Sequence, residues 1–554
     1  MDSRASTVAE LVAARWGDHR PGLRCEDRAL THHEVAAEAA ARAALLADLL
    51  PPDAEPHIGV LLDNTPEFPL WLGAAALARA AVAGVNPTRR GAELARDILH
   101  TECRILVTER THLSLLKGLD LPGVRVLVTD GDEYADLLAP YADARPDASR
   151  ATPRDRFLLY FTSGSTGAPK AALCSQGRLA VAGRSLAGQF SLGPQDAHYL
   201  CMPLFHGNAV IAGWAPALVT GAGVALRRRF SASRFLPDVR RYEATYFTYV
   251  GRAIQYVLAT EPGPDDRDNP LRLGFGTEAG AVDAAAFERR FGVRLVEGYG
   301  SSEGGAAVQW SPGTPPGAVG RAAPGLVVLD PESREPCPPA RFDAAGRLLN
   351  GDEAIGELVN QGPSPFEGYW RNPAAEAERR RGGWYWTGDL FYRDADGHLY
   401  FAGRTDDRLR VDGENLAAAM IENILARYEG AAAVAVYAVP DPVTGDQVMA
   451  TIAGTFDPEA FARFLLAQPD LGTKMAPRFV RVVGRMPVTA TNKIQRAALR
   501  REGLRCPDPV WWRPPGEGAY RLLTREELEH AEGPPAPTRG PSPVRRQGLE
   551  PRTR

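Results

Sequence analysis

Residues Tyr160–Lys170 read YFTSGSTGAPK, and the apolar run that feeds them begins at Arg156. Gly164 and Gly167 permit tight turns and close approach of backbone amides, while Thr162, Ser163, Ser165 and Thr166 offer donors to phosphate oxygens. Lys170 adds positive charge. A Walker A loop would need a glycine where Pro169 stands and a Ser or Thr where Ala171 stands, so this is a phosphate loop of another kind, following a strand. It is not a nucleophile elbow either: GSTG lacks the GxSxG pattern, and a Ser-His-Asp hydrolase is excluded on that ground.

Upstream of the loop, helical and strand patterns alternate. Leu30–Leu50 predicts a helix, His57–Leu62 a strand, and a helix follows from Pro66. The richest apolar run, Pro69–Val85, is broken by Arg79 and reads as one buried helix, too interrupted for a membrane span. Ile105–Thr108 and Val124–Thr129 are further strands. Downstream, strands are expected at His198–Leu204, Val224–Leu226, Glu243–Tyr249, Gly356–Asn360 and His398–Ala402, with polar breaks at Asp265–Asn269 and Pro312–Gly320. The pattern is that of an α/β protein with a large body of several subdomains.

Composition changes at RTDDRLRVDG, Arg404–Gly413. Beyond it a helix is expected at Ala417–Tyr428, a strand at Ala431–Val439, a helix at Pro458–Ala467 and a strand at Arg478–Val483. The expected organisation is a large domain 1–403, a hinge 404–407, a small mobile α/β domain 408–532, and a disordered tail 533–554 rich in proline and arginine. A chain of 554 residues is too long for one core, with 44% apolar and 24% charged residues and a formal net charge of only -4. No basic stripe asks for nucleic acid. The six scattered cysteines form no CxxC pair, the N-terminal stretch lacks a secretory apolar segment, and a cytoplasmic location suits both.

Five more segments carry chemistry: MPLFH at Met202–His206, EGYGSSEG at Glu297–Gly304, YWTGDL at Tyr385–Leu390, GRTDDRLRVDGEN at Gly403–Asn415 and MPVTATNK at Met486–Lys493. With the loop, in this order, they make the chain resemble the acyl-CoA synthetase branch of the adenylate-forming superfamily, over roughly Leu30–Leu504. The resemblance implies ATP, Mg2+ and CoA as cosubstrates and cofactor. It places Ser163, Gly164, Ser165, Thr166, Gly167 and Lys170, with Thr162, around the phosphates. Tyr299 and Gly300 lie by the nucleobase, Ser302 near phosphate, and Glu303 on Mg2+, a hard cation that joins carboxylate to substrate phosphates. Asp389 accepts the ribose hydroxyls, Arg404 joins the ribose and α-phosphate contacts, and Asp406 is the hinge residue.

Lys493 alone reads as a solvated lysine; in this company its ammonium bridges the attacking carboxylate and the α-phosphate. His206 lines the acid channel in the family, where it is no general base, because a carboxylate is already ionised at neutral pH; a structural histidine is the other reading. Gly413 matches a glycine beside the pantetheine tunnel. The implied reaction has two halves, acyl-adenylate formation and then transfer to the CoA thiol, with Lys493 needed for the first.

GENLAAAMIENIL at Gly413–Leu425 and MPVTATNK are similar to the fatty acid transport and very-long-chain acyl-CoA synthetase branch, including bacterial ligases of steroid side-chain acids. GFGTEAG, Gly274–Gly280, departs from it: Glu278 is unexpected against an apolar tail unless it faces solvent. A non-CoA acceptor remains the alternative, an amide-forming ligase or a nitrite-activating diazotase. So does a carrier protein in trans. A fatty acid could also bring the enzyme to a membrane surface.

Overall fold

A computed structural model describes residues 5–162, 170–344, 346–363, 365–411, 414–441, 445–489, 494–524 and 527. The chain divides into two compact units. One comprises 1–406 with 487–495, and the other 407–486 with 496–554. Residues 487–495 thus group with the large unit, inside the span expected for the small domain.

Three sheets build the first unit. The six-stranded one runs Arg125–Val128, Ile105–Thr108, His57–Leu61, Ala81–Gly84, Arg156–Thr162 and Lys170–Ser175. Its neighbours are parallel until the last strand, which returns antiparallel and pairs Lys170 with Thr162. Thr162 and Lys170, which flank the loop motif, are therefore paired at the carboxyl end of a buried strand, where α/β sheets bind ligands. The second sheet orders Arg294–Glu297, Leu273–Thr277, Tyr246–Val250, Ala197–Leu200, Gly223–Leu226, Pro21–Cys25 and Arg28–Thr31, again parallel except at one edge. The third, antiparallel, centres on Trp384–Arg393 between Gly356–Asn360 and His398–Arg404.

Helices cover the parallel sheets, whose inner strands His57–Leu61, Ala81–Gly84 and Tyr246–Val250 are buried throughout. Leu30–Leu50 becomes the helix His32–Leu49, started by a capping box in which Thr31 Oγ1 accepts from Glu34 N and Glu34 returns a carboxylate to Thr31 N. Phe68, Trp71, Leu72, Ile58 and Val82 are among the residues of the central core.

Pro69–Val85 is not one helix. The helix Glu67–Leu77 stops, and Ala81–Gly84 is a strand. Arg79 makes the turn in the left-handed region, φ +56°, and clamps Asp155 through Nε at 2.9 Å and Nη2 at 3.0 Å. The strand expected at His198–Leu204 is confined to Ala197–Leu200, since Pro203 cannot donate to a central ladder. Glu243, at φ +51°, also delays its strand to Tyr246. Among the described residues, no helix is long and apolar enough to cross a membrane.

The second unit has its own sheet, ordered Glu414–Ala417, Arg408–Val411, Gly445–Gly454, Phe479–Val483, Val510–Trp512 and Arg521–Leu522, with Ala431–Asp441 also paired to Gly445–Gly454. The helices Ala418–Leu425 and Pro458–Leu466 stand where they were expected. Leu409, Ile421, Val436, Ile452, Phe461 and Val480 form a separate core. The expected tail, 533–554, lies outside the described residues.

Candidate active site

The strand Arg156–Thr162 ends where Thr162 Oγ1 donates to Lys170 O at 3.4 Å. Lys170 is buried, and its Nζ meets Glu378 Oε2 at 2.9 Å. Ser163, Gly164, Ser165, Thr166 and Gly167 lie outside the described residues, as do Gly413 and Lys493.

Met202–His206 leaves the end of the strand Ala197–Leu200 and is clamped by buried Asn64, whose Oδ1 accepts from Leu204 N (2.9 Å) and whose Nδ2 donates to Met202 O (2.9 Å). Close packing fixes the other side: a Cβ on Gly84 would lie 2.5 Å from Phe205 O and 3.0 Å from the Tyr160 ring. His206 is half-buried beside Phe205, ring centroids 5.2 Å apart. A Cβ on the next residue, Gly207, would lie 3.2 Å from Ser302 Oγ, so the two motifs adjoin.

The strand Arg294–Glu297 delivers EGYGSSEG. Glu297 Oε1 accepts from Tyr249 Oη (2.7 Å) and Ala279 N (3.0 Å), tying three neighbouring strand ends together. Burial nevertheless pushes its pKa up to about 7. Tyr299 stands edge-on to Phe391 at 4.8 Å and donates to Asp389 Oδ2 at 2.7 Å. Gly300 is exposed, with open space where a Cβ would project. Arg178 braces the rest of the loop, donating to Ser302 O (2.6 Å), Glu303 O (3.0 Å) and Leu173 O (2.8 Å). The buried Glu303 carboxylate accepts from Tyr369 Oη at 2.9 Å.

Asp389 and Arg404 are register partners on adjacent antiparallel strands. Arg404 Nε lies 3.3 Å from Asp389 Oδ1. Burial raises the Asp389 pKa, and Arg404 and then the Tyr299 hydrogen bond oppose that rise. A carboxylate has about four acceptor positions, so Asp389 can still receive ribose hydroxyls. Glu303, Tyr299, Ser302 and His206 in loops, and Asp389, Lys170 and Arg404 on strands, thus belong to the first unit. Glu303 is a fixed hard-oxygen donor of the kind Mg2+ takes when it joins protein to phosphate.

Sequence reading missed Asn64, Arg178, Tyr369, Glu378 and Arg379. It also left Glu278 open; the structure has it exposed, at φ +68°. Among the described residues, one group of donors, buried Asp63, Glu109 and His112, has ligand atoms within 4.8 Å of one another. Arg229 already meets Asp63 at 2.9 Å and Arg228 meets Glu109 at 2.6 Å. A divalent cation added there would leave those two guanidinium charges uncompensated, so the group is an ion-pair cluster that braces strand ends.

The profile of the AMP-binding enzyme family matches residues 9–370, and that of the AMP-binding enzyme C-terminal domain matches 420–493. Steroid-22-oyl-CoA synthetase of Rhodococcus jostii is 51% identical over 543 residues, 95% of this chain and 97% of that protein. Medium/long-chain-fatty-acid–CoA ligase FadD17 of Mycobacterium marinum is 45% identical, over 91% of this chain and 98% of that one. The crystal structure of the anthranilate CoA ligase AuaEII with anthranoyl-AMP shares the fold, with a TM-score of 0.78 at 22% identity over 89% of this chain and 96% of that one. With both units matched and the likeness to the two ligases running nearly end to end, this chain belongs to the AMP-binding enzyme family and, within it, to the AMP-forming acyl-CoA synthetases, which make an acyl-adenylate from ATP and pass the acyl group to CoA.

Proposed function

We propose that the acid is large and apolar, a steroid side-chain carboxylate before a medium- or long-chain fatty acid, and that CoA is the acceptor. The observation that carries this is the 51% identity with the Rhodococcus steroid-22-oyl-CoA synthetase across nearly the whole of both chains. Glu278, whose charge speaks against an apolar tail if it faces one, is exposed, which is compatible with this reading.

In this reading a carboxylate oxygen attacks the α-phosphorus and the bond to the β-phosphate breaks, releasing pyrophosphate. Thr162, the loop 163–167 and Lys170 hold the phosphates, Tyr299 and Gly300 border the base, and Asp389 and Arg404 fix the ribose. Glu303 would hold Mg2+, which when bound would neutralise charge on the phosphate oxygens. Lys493 steadies the approaching carboxylate, and His206 shapes its channel. A turn about Asp406 then exchanges Lys493 for the pantetheine path beside Gly413. The CoA thiolate attacks the acyl carbon and AMP leaves.

The test is product analysis with ATP, Mg2+ and CoA against steroid side-chain acids, fatty acids of graded length and short polar acids. A CoA thioester of the steroid acid, formed in preference to the rest, is the expected result. AMP release that requires an amine or nitrite and yields no thioester would overturn the reading.

A further inference from the structure

Three motifs of the site converge on a helix end that belongs to none of them. The helix Pro373–Arg379 finishes with Glu378 and Arg379. Glu378 holds Lys170 Nζ at 2.9 Å. Arg379 turns the other way: Nη1 donates to Thr387 O at 2.6 Å and reaches Trp386 O at 3.5 Å, the two residues that lead into Gly388 and Asp389.

Gly388 is what lets it in. A Cβ there would stand 2.1 Å from Arg379 Nη1, and the residue's φ of +73° is one that side chains rarely adopt. Tyr369 Oη donates to Glu303 Oε1 at 2.9 Å; burial and the Glu303 charge raise the Tyr369 pKa, and the Arg379 charge opposes that rise. Burial raises the Asp389 pKa, and Arg379 is among the groups, after Arg404 and Tyr299, that lower it.

We propose that Arg379 is a positioning residue for adenylation, its planar fork bracing the turn that presents Asp389 and its charge lying on the side of the phenol that orients Glu303. The ribose-binding and metal-binding carboxylates are thereby set in one geometry before MgATP arrives. This rests on the nucleotide reading of Glu303 and Asp389. An arginine suits the task because its several donors point in fixed directions, whereas a lysine at the same place is a single charge on a flexible stem. The next two arginines show the contrast: Arg380 donates to Phe366 O, and Arg381 lies over the Trp386 ring, both away from the two carboxylates.

The experiment measures MgATP binding to the full chain by calorimetry, with Mg2+ titrated at fixed ATP, for R379K, R379A, Y369F, E303Q and D389N. Binding needs neither the acid nor the acceptor to be known. R379K and R379A should both weaken MgATP by about tenfold or more and move the Mg2+ midpoint upward, as loss of the group orienting a ligand does. Y369F, which keeps the ring, should reproduce the Mg2+ shift and stands in for R379A if that variant does not fold. Wild-type binding by R379K would overturn the inference, because charge alone would then suffice. Unchanged binding by E303Q and D389N would instead sink the underlying site assignment.

Discussion

Asp389 and Arg404 face each other across two antiparallel strands, Arg404 Nε 3.3 Å from Asp389 Oδ1, just ahead of the boundary between the two units at Asp406 and Asp407. In its proposed role the Asp389 carboxylate accepts ribose hydroxyls best when ionised. Burial raises its pKa and Arg404 lowers it, so R404A should raise it further. The acid limb of kcat/KM for ATP then moves to higher pH, in addition to a loss of about tenfold or more at neutral pH from the missing contact. Acid-dependent ATP–pyrophosphate exchange followed from pH 5 to 8 reads both effects. An unmoved limb would mean that Asp389 does not set it.

In the proposed mechanism Lys493 serves adenylation and Gly413 serves thioester formation. K493A should lower pyrophosphate exchange by about a thousandfold, the scale of removing a transition-state charge partner, while thioester formation from preformed adenylate stays near wild type. G413W should do the reverse. Equal loss of both half-reactions in either variant would refute its assignment.

Glu297 makes stability depend on pH with an unusual sign. Its folded-state pKa is about 7 against an ordinary 4.5, so between those values the folded carboxyl keeps a proton that the unfolded one has released. The contribution is full below pH 4.5, declines as pH rises, and is gone above about 7, amounting to roughly 3 kcal/mol at most. E297Q is permanently neutral and keeps an acceptor for Tyr249 and Ala279. Urea unfolding between pH 5 and 7.5 should show a falling trend in the wild type and a flatter one in the variant. Parallel trends would show that Glu297 titrates normally.

The sequence announced the residues proposed to touch nucleotide, because they sit in or beside short segments with glycines whose spacing is itself a signal. It did not announce what holds them. Arg379 stands in the run AERRRGG, which reads as solvated charge, and only folding separates it from Arg380 and Arg381. Tyr369 lies 66 residues from Glu303, and no local pattern links the two. The Pro69–Val85 run hid a helix-to-strand turn for a related reason: both elements are buried all round, so neither shows a period, and Arg79 was the sole break.

Asn64 is the clearest case of support without a motif. It is 3% exposed, and its amide receives Leu204 N and donates to Met202 O and Arg227 O, so one side chain closes the gap between the strand His57–Leu61 and the segment that carries His206. N64A would strand a buried amide and two carbonyls, a cost of about 1–3 kcal/mol in unfolding free energy. N64D keeps the acceptor for Leu204 N but presents an oxygen to two carbonyls, so repulsion adds to the loss and it should destabilise at least as much as N64A. If His206 lines the acid channel, both variants should raise KM for the acid more than KM for ATP. Urea unfolding gives the first quantity and initial-rate kinetics the second. Equal rises in the two KM values would place His206 outside the channel, while the stability loss would still follow from the clamp.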